Sequence, residues 1–354
     1  MDSRIIKNRV RAVRRRLNKK KINCLIITKP ANVTYITGFL GADSWAVVAA
    51  GGVYLITDSR YTEQAHQQCP YCKVIQRARP IAEQTAELLK KLKSAQTVAV
   101  EEATPLATYR SLKRAFKTRL RTTANIIETL RSSKDSTEIA AIGRAARMAI
   151  RALKQIRRYI KPGITENELA GVLDLQIRRL GATNSFATII AFGPNASRPH
   201  HQPGARRLKK NDTILIDFGV AYKGYCCDLT RCFAIGKASA LFERVYEAVK
   251  QAQAAAIKMV KAGTEIRRVD DAARDVLRKF ELPVYGHGTG HGIGLEVHEQ
   301  PVVSATGKGK LEAGMVFTIE PGVYIPGKLG VRIEDNILVT DKGHKILTRT
   351  SREG

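Results

Sequence analysis

The chain has 354 residues, 44% of them hydrophobic and 26% charged, with a formal net charge of +28. This length predicts two domains, and no apolar run approaches the roughly 20 residues of a membrane span. The basic N-terminal segment lacks the apolar stretch of a secretory signal, and the six cysteines show no disulfide framework, so the composition indicates a protein of the reducing cytoplasm.

The positive charge has two interpretations. It is spread over the whole chain without interleaved aromatic residues. Affinity for nucleic acid is one interpretation, and a basic proteome or a solubility device is the other. Because net charge alone specifies no partner, we expect neither nucleic-acid binding nor membrane binding to be the function.

Residues 1–131 predict an α/β domain. Ile6, Val10, Val13 and Leu17 recur at helical spacing and predict a first amphipathic helix. Apolar runs then alternate with helical patterns. Strands are predicted at 24–28, 45–49, 53–57, 74–76 and 97–100, and helices at 81–93 and 108–117.

Residues 132–354 predict a second domain, with the boundary at 130–134. Asp135 and Glu138 have the spacing of a capping box and predict the start of a long helix with an apolar face that extends to Ile160. A second capping pair, Thr165 and Glu168, predicts the next helix.

The second domain also contains a faint duplication. A Lys-Pro-Gly stop at 161–163 and a Lys-Ala-Gly stop at 261–263 each end a long helix and precede another. Each helix pair is followed by strands with two acids, Asp217 and Asp228 in one half and Glu320 and Glu334 in the other. The pattern predicts a pseudo-two-fold domain in which four carboxylates converge.

A glycine-rich segment at 287–299 holds three of the seven histidines, His287, His291 and His298. It matches neither a phosphate-binding glycine loop nor the H-E-x-x-H pattern of zinc peptidases. Four carboxylates and an imidazole instead indicate a two-metal hydrolytic centre for Mn²⁺, Co²⁺, Zn²⁺ or Fe²⁺.

At these residues the chain resembles the pita-bread metallopeptidases, which include Xaa-Pro aminopeptidases, prolidases and methionine aminopeptidases. Segments 32–39 and 54–61 resemble the N-terminal domain of creatinase and prolidase. The resemblance implies an α/β N-terminal domain over 1–131 and an α+β pita-bread catalytic domain over 132–354, with pseudo-two-fold symmetry.

The resemblance also implies roles for single residues. The metal ligands would be Asp217, Asp228, His291, Glu320 and Glu334. They would hold two divalent ions, manganese first, and a hydroxide bridging the ions would attack the peptide. Glu320 would shuttle a proton to the leaving nitrogen, and His200 and His298 would contact the tetrahedral intermediate. Arg332, grouped with the substrate-binding residues, would position a ligand carboxylate, and His287 would line the substrate pocket or serve the structure.

Several functions stay open. An Xaa-Pro aminopeptidase and a prolidase restricted to dipeptides both fit, whereas methionine aminopeptidases usually lack the large N-terminal domain. A creatinase-like C–N hydrolase would not need the metals. A non-catalytic relative that binds nucleic acid or ribosomes would have lost ligands, and all five are present. The family also suggests a homodimer and peptide substrates with proline in the second position.

Cysteines supply two further motifs. Strand alternation predicts Cys226 on the same face as Asp228, where it serves either as a thiol beside the ligands or as a small core residue. The run Cys69-Pro-Tyr-Cys72 is the active-site tetrapeptide of glutaredoxins. Redox catalysis needs a strand before it and a helix after it, and here the predicted order is reversed, which argues against that activity.

Overall fold

The computed structural model describes residues 3–92, 96–116 and 120–349, and the chain divides into two compact units, Met1–Arg131 and Ser132–Gly354. In the first unit the helices are α1 Ser3–Lys19, α2 Pro30–Thr37, α3 Thr62–Gln68, α4 Ile81–Lys91, α5 Leu106–Ala115 and, at the junction, α6 Glu128–Ser132. The strands are β1 Cys24–Ile27, β2 Trp45–Ala49, β3 Gly52–Thr57, β4 Lys73–Gln76, β5 Val98–Glu101 and β6 Leu120–Thr123.

These six strands form one mixed sheet in the order β4-β3-β2-β1-β5-β6. β1, β2 and β3 are antiparallel, and the outer pairings are parallel. The predicted face of α1 is confirmed, because its four apolar residues are all buried. α4 and α5 start at residues 81 and 106, each just after a proline, and the predicted ends at 93 and 117 lie outside the described residues.

The second unit continues the chain from Ser132. Its helices are α7 Ser136–Ile156, α8 Glu166–Arg179, α9 Ala240–Lys258 and α10 Ile266–Lys279. Its strands are β7 Thr183–Asn184, β8 Ile189–Phe192, β9 Thr213–Tyr222, β10 Tyr225–Ala234, β11 Gly290–Gly292, β12 Glu299–Val303, β13 Val316–Ile319, β14 Gly322–Ile325, β15 Leu329–Arg332, β16 Asp335–Thr340 and β17 Gly343–Ile346.

Both predicted capping boxes are present. The Asp135 carboxylate accepts from the Glu138 backbone N–H at 3.0 Å, and the Glu138 carboxylate accepts from the Asp135 N–H at 3.1 Å. Thr165 and Glu168 exchange the same two bonds at the start of α8. The face of α7 does not extend to Ile160 as a regular helix, because a short 3₁₀ turn replaces its last turn.

The duplication is visible in the packing. α7 and α8 cover β8, β9 and β10 with one apolar core, and α9 and α10 cover β13, β15 and β16 with another. β9 and β10, each ten residues long, form a hairpin. Its turn residues, Lys223 and Gly224, both have positive φ, as a tight hairpin turn requires. The expected α/β domain followed by a pseudo-symmetric α+β domain is therefore confirmed. No helix among the described residues is long and apolar enough to cross a bilayer.

Candidate metal centre

Two candidate ligands, Asp217 and Asp228, are diagonal neighbours on one face of the hairpin of β9 and β10. The register pairs Asp217 with Thr230 and Gly219 with Asp228. Opposed residues of an antiparallel pair, and residues two apart on one strand, share a face, so Asp217, Thr230 and Asp228 project to the same side. A Cβ on Gly219 would lie 2.6 Å from the carbonyl oxygen of Cys227, so only glycine fits beside the acids.

The other candidate ligands come from the second half of the unit. His291 lies in β11, Glu320 directly follows β13, and Glu334 lies in the gap between β15 and β16. Glu320 and Glu334 were each predicted to lie within a strand, and this is wrong, because β13 ends at Ile319 and β15 ends at Arg332. The Glu334 backbone N–H donates to the Thr230 carbonyl at 3.2 Å, across to β10, instead of extending the β14–β15 ladder.

The imidazole of His291 is oriented by its backbone surroundings. Its backbone N–H donates to the Thr318 hydroxyl at 3.0 Å, and its ring Nδ1 lies 3.2 Å from the Gly292 carbonyl oxygen. That contact assigns the ring proton to Nδ1 and leaves Nε2 for the carboxylates, as in metal-binding histidines. Nε2 lies 3.3 Å from Glu320 Oε1 and 3.8 Å from Asp228 Oδ2.

The cluster fits a divalent metal by its geometry. Asp228, His291 and Glu334 offer one atom each, and these atoms all lie within 4.8 Å of one another. Asp217 Oδ1, Asp228 Oδ1 and Glu334 Oε1 are buried with no hydrogen-bond partner in the described part of the chain. A buried carboxylate oxygen without a donor is costly, and a cation would satisfy it. Oxygen and imidazole donors suit Mn²⁺, Zn²⁺, Co²⁺ and Fe²⁺.

Burial and the proximity of the acids to one another shift their pKa values. Burial and neighbouring negative charges raise the pKa of Asp228 and of Glu334 well above the ordinary value, and burial raises the pKa of Asp217 against the opposing charge of Arg332. Burial also opposes ionisation of Glu320, but His291 holds its pKa below the usual range. The pKa of His291 rises to about 9, because the Glu320 hydrogen bond and charge outweigh burial. The protein thus holds protons at a cluster where divalent cations can replace them.

A chain of hydrogen bonds runs from the Asp217 carboxylate through Arg332 and Tyr324 to His287. Arg332 is 4% exposed and donates to Asp217 Oδ2, to the Tyr324 hydroxyl at 2.8 Å and to Thr230 Oγ1 at 3.2 Å. His287 Nε2 lies 3.1 Å from the same Tyr324 hydroxyl. Arg332 therefore orients a candidate ligand, and His287 is linked to it through Tyr324.

His298 and His200 are both exposed. The ring centroids of His298 and His291 are 4.2 Å apart. Partial burial of its ring and the neighbouring His291 lower the pKa of His298. His298 therefore lies at the edge of the cluster, beside a candidate ligand.

A buried acid of the first half organises the loop before β9. Glu166, the first residue of α8, is 0% exposed. Its carboxylate accepts from the backbone N–H groups of Phe192 at 2.9 Å and Gly204 at 3.0 Å, and from Asn195 Nδ2 at 2.8 Å. It also contacts His201 Nε2 at 2.9 Å. The loop that presents His200 is thus tied to the start of a helix.

In the second half, Asp270 of α10 is a buried acid that fixes a loop, as Glu166 does in the first half. It is 0% exposed and accepts from the Thr289 hydroxyl at 2.6 Å and from Arg274 Nε at 2.6 Å. Arg274 in turn donates to the carbonyl oxygens of Tyr285 at 2.9 Å and His287 at 2.7 Å. The segment that leads to His291 is therefore fixed by a buried ion pair.

Sequence reasoning missed Tyr324, Glu166, His201 and the Asp270–Arg274 pair. Glu166 lies between the two residues of a predicted capping pair, which already explained an acid there. Asp270 lies on a helix with many charged residues, so nothing in the sequence distinguished it from the others. Asp270 and Arg274 have the i,i+4 spacing of an ion pair, which was the one available signal, but most such pairs are solvated.

Comparisons with known proteins agree with the two-domain architecture. The model of metallopeptidase family M24 matches residues 140–341, and that of the creatinase/prolidase N-terminal domain matches residues 9–133. An uncharacterized peptidase of Bacillus subtilis, YqhT, is 36% identical over 335 residues, which cover 94% of this chain and 95% of the relative.

Two solved structures are similar over nearly their whole length. An Xaa-Pro dipeptidase from Bacillus anthracis has a TM-score of 0.93 at 33% identity and covers 98% of this chain and 99% of its own. An X-Pro aminopeptidase from Thermotoga maritima has a TM-score of 0.87 at 34% identity, and the match covers 96% of this chain and 99% of that structure.

Proposed function

The chain belongs to metallopeptidase family M24, and on this premise we propose that it is an aminopeptidase that removes the N-terminal residue of peptides with proline in second position. The observation that carries the proposal is the buried cluster of Asp228, His291 and Glu334, whose unsatisfied carboxylate oxygens suit divalent cations. Asp217 and Glu320 adjoin the cluster and complete the proposed ligand set. The complete set argues against a non-catalytic nucleic-acid-binding or ribosome-binding function.

We assign the remaining roles from position and chemistry. The family depends on two divalent ions, which supply an activated water and polarise the scissile carbonyl. His298 and His200 are the donors that we assign to the developing charge on the carbonyl oxygen. Glu320, whose pKa is held low by His291, can accept a proton and pass it to the leaving nitrogen. Arg332 keeps Asp217 oriented.

Proline sets the specificity that we propose. Its nitrogen carries no N–H, and its ring restricts the residue before it. Cleavage at proline therefore requires a donor for a tertiary amide nitrogen, the role assigned to Glu320. The metal most consistent with the carboxylate-rich donor set is manganese, with cobalt, zinc and iron as alternatives.

A panel of peptides tests the proposal. With Mn²⁺ or Co²⁺ bound, we expect the enzyme to release the first residue from Xaa-Pro peptides faster than from Xaa-Ala or Met-Ala peptides of equal length. Faster cleavage of Met-Ala would assign methionine aminopeptidase activity instead. Cleavage of no peptide by metal-loaded enzyme would contradict peptidase function altogether.

A prolidase restricted to dipeptides is the second candidate, and the high similarity to the B. anthracis Xaa-Pro dipeptidase favours it. The same assay separates the two functions when Xaa-Pro dipeptides are compared with Xaa-Pro peptides of three to five residues. An aminopeptidase cleaves both sets, whereas a prolidase cleaves only the dipeptides.

Single ligands give a second prediction. We expect Asp217→Asn and His291→Ala each to lower the metal content from about two ions towards one, because each residue is assigned to one ion only. Asparagine at 217 still accepts from Arg332, so the buried guanidinium keeps a partner. Metal is counted per chain after dialysis, with His66→Ala on α3 as the histidine control. Two ions in both variants would show that the ligands are assigned wrongly.

A further inference from the structure

A tight turn brings two cysteines together far from the metal ligands in the sequence. Cys69 follows the last residue of α3, and Cys72 precedes β4. The Cys72 backbone N–H donates to the Cys69 carbonyl at 3.0 Å, which closes a four-residue turn. The ends of such a turn lie within about 7 Å, Cα to Cα, close to the range that a disulfide bridges.

The turn places the side chains of Cys69 and Cys72 next to one another at its two ends. The neighbouring Cys72 and Thr37 lower the pKa of the Cys69 thiol, although Cys69 is 1% exposed and burial opposes this shift. The neighbouring Cys69 and burial raise the pKa of Cys72. Cys72 remains partly exposed, so a small oxidant in solution can reach the pair.

The other four cysteines provide a contrast within the same chain. Cys24, Cys226, Cys227 and Cys232 are all buried. Burial raises the pKa of Cys24 and of Cys232 to about 12 and raises that of Cys227 further. Buried thiols with raised pKa are inert. The turn is therefore the one place in the described chain where a thiol with a lowered pKa meets a second thiol that solvent reaches.

We propose that Cys69 and Cys72 form a redox-active dithiol that closes reversibly to a disulfide when the protein meets a peroxide. The motif is that of glutaredoxins, but here it follows a helix instead of opening one. The C-terminal end of a helix does not stabilise a thiolate as an N-terminal end does. The pair is thus a site of stoichiometric oxidation and reduction, not a catalyst of disulfide exchange.

The chemistry balances with hydrogen peroxide as the oxidant. One of the two thiols ionises and its thiolate attacks one peroxide oxygen; an S–O bond forms, the O–O bond breaks, and the departing hydroxide takes up the released proton and leaves as water. The second thiol then attacks the oxidised sulfur; the S–S bond forms, and the S–O bond breaks with release of a second water, whose proton comes from the second thiol. The two thiols together lose two electrons and two protons, which the peroxide gains.

Thiol counting on the full-length protein tests the proposal. The reduced protein is treated with hydrogen peroxide, denatured and labelled with a maleimide. We expect the number of labelled cysteines to fall from six to four, to return to six after dithiothreitol, and the disulfide to map to the peptide that contains residues 69–72. Cys69→Ser and Cys72→Ser should each abolish the disulfide, whereas Cys24→Ala should keep it.

Circular dichroism before labelling shows that each variant is folded. Six labelled thiols after a treatment that oxidises free dithiothreitol would overturn the proposal, as would a disulfide between any other two cysteines. Conversion of Cys72 only to higher oxides, with Cys69 still labelled, would also overturn it. Because the readout is a thiol count, failure here is distinguishable from failure of the proposed peptidase function.

Discussion

Asp228→Asn and Glu334→Gln are each expected to lower peptidase activity by about 10³-fold or more under metal-replete conditions. Both residues belong to the one cluster of described atoms that suits a cation, and we assign both to bridging positions. An amide of the same shape keeps one oxygen but loses the negative charge that balances the metals. Both ions should therefore bind more weakly, in contrast to the loss of one ion expected for Asp217→Asn.

The fold is expected to survive these two changes. Asp228 Oδ1 and Glu334 Oε1 have no hydrogen-bond partner among the described residues, and both carboxyls are buried. Each amide relieves the crowding of buried carboxyl groups, so the melting temperature of each metal-free variant should equal or exceed that of metal-free wild type. Asp275→Asn, at an exposed position of α10, is the control. Activity of either variant near the wild-type rate would disprove the metal assignment.

His298→Ala is expected to lower kcat by about 10²-fold or more while both metals stay bound, because it removes a donor to the transition state and no ligand. His298 lies beside His291 but is exposed, so the substitution leaves no cavity in the core. KM should change little, since the hydrogen bond strengthens only as charge develops on the carbonyl oxygen.

The measurement combines steady-state kinetics on an Xaa-Pro peptide with metal analysis of the same sample. His66→Ala, another exposed histidine, serves as the matched control. A loss of metal together with activity would make His298 a ligand or a support of one. An unchanged kcat would remove it from the mechanism.

The sequence predicted the elements better than their arrangement. Local signals such as the capping pairs at Asp135 and Thr165 act within one turn of chain, so they are readable without the fold. The order of the six strands in the first sheet depends on packing between distant segments, and apolar runs of similar length do not distinguish one order from another.

In the candidate site, too, residues with a local sequence signal were predicted, and residues that depend on distant contacts were not. The four candidate acids end or follow apolar runs, and His291 lies in a glycine-rich segment with two other histidines, so the sequence made all five visible. The structure groups Asp228, His291 and Glu334. The supporting residues were not predictable in the same way. Tyr324 lies in a short apolar strand, and its contact with Arg332 depends on the hairpin that brings β14 and β15 together. A side chain that acts through a partner distant in sequence has no local pattern.

The two halves of the second unit meet where Asn336 exchanges hydrogen bonds with the backbone of Asp228, 108 positions earlier in the chain. Contacts of such separation cost much loop-closure entropy and form late in folding. The candidate ligands come from both halves, so a cation bound by them would add to these contacts. We therefore expect metal binding to make the folded protein more resistant to unfolding.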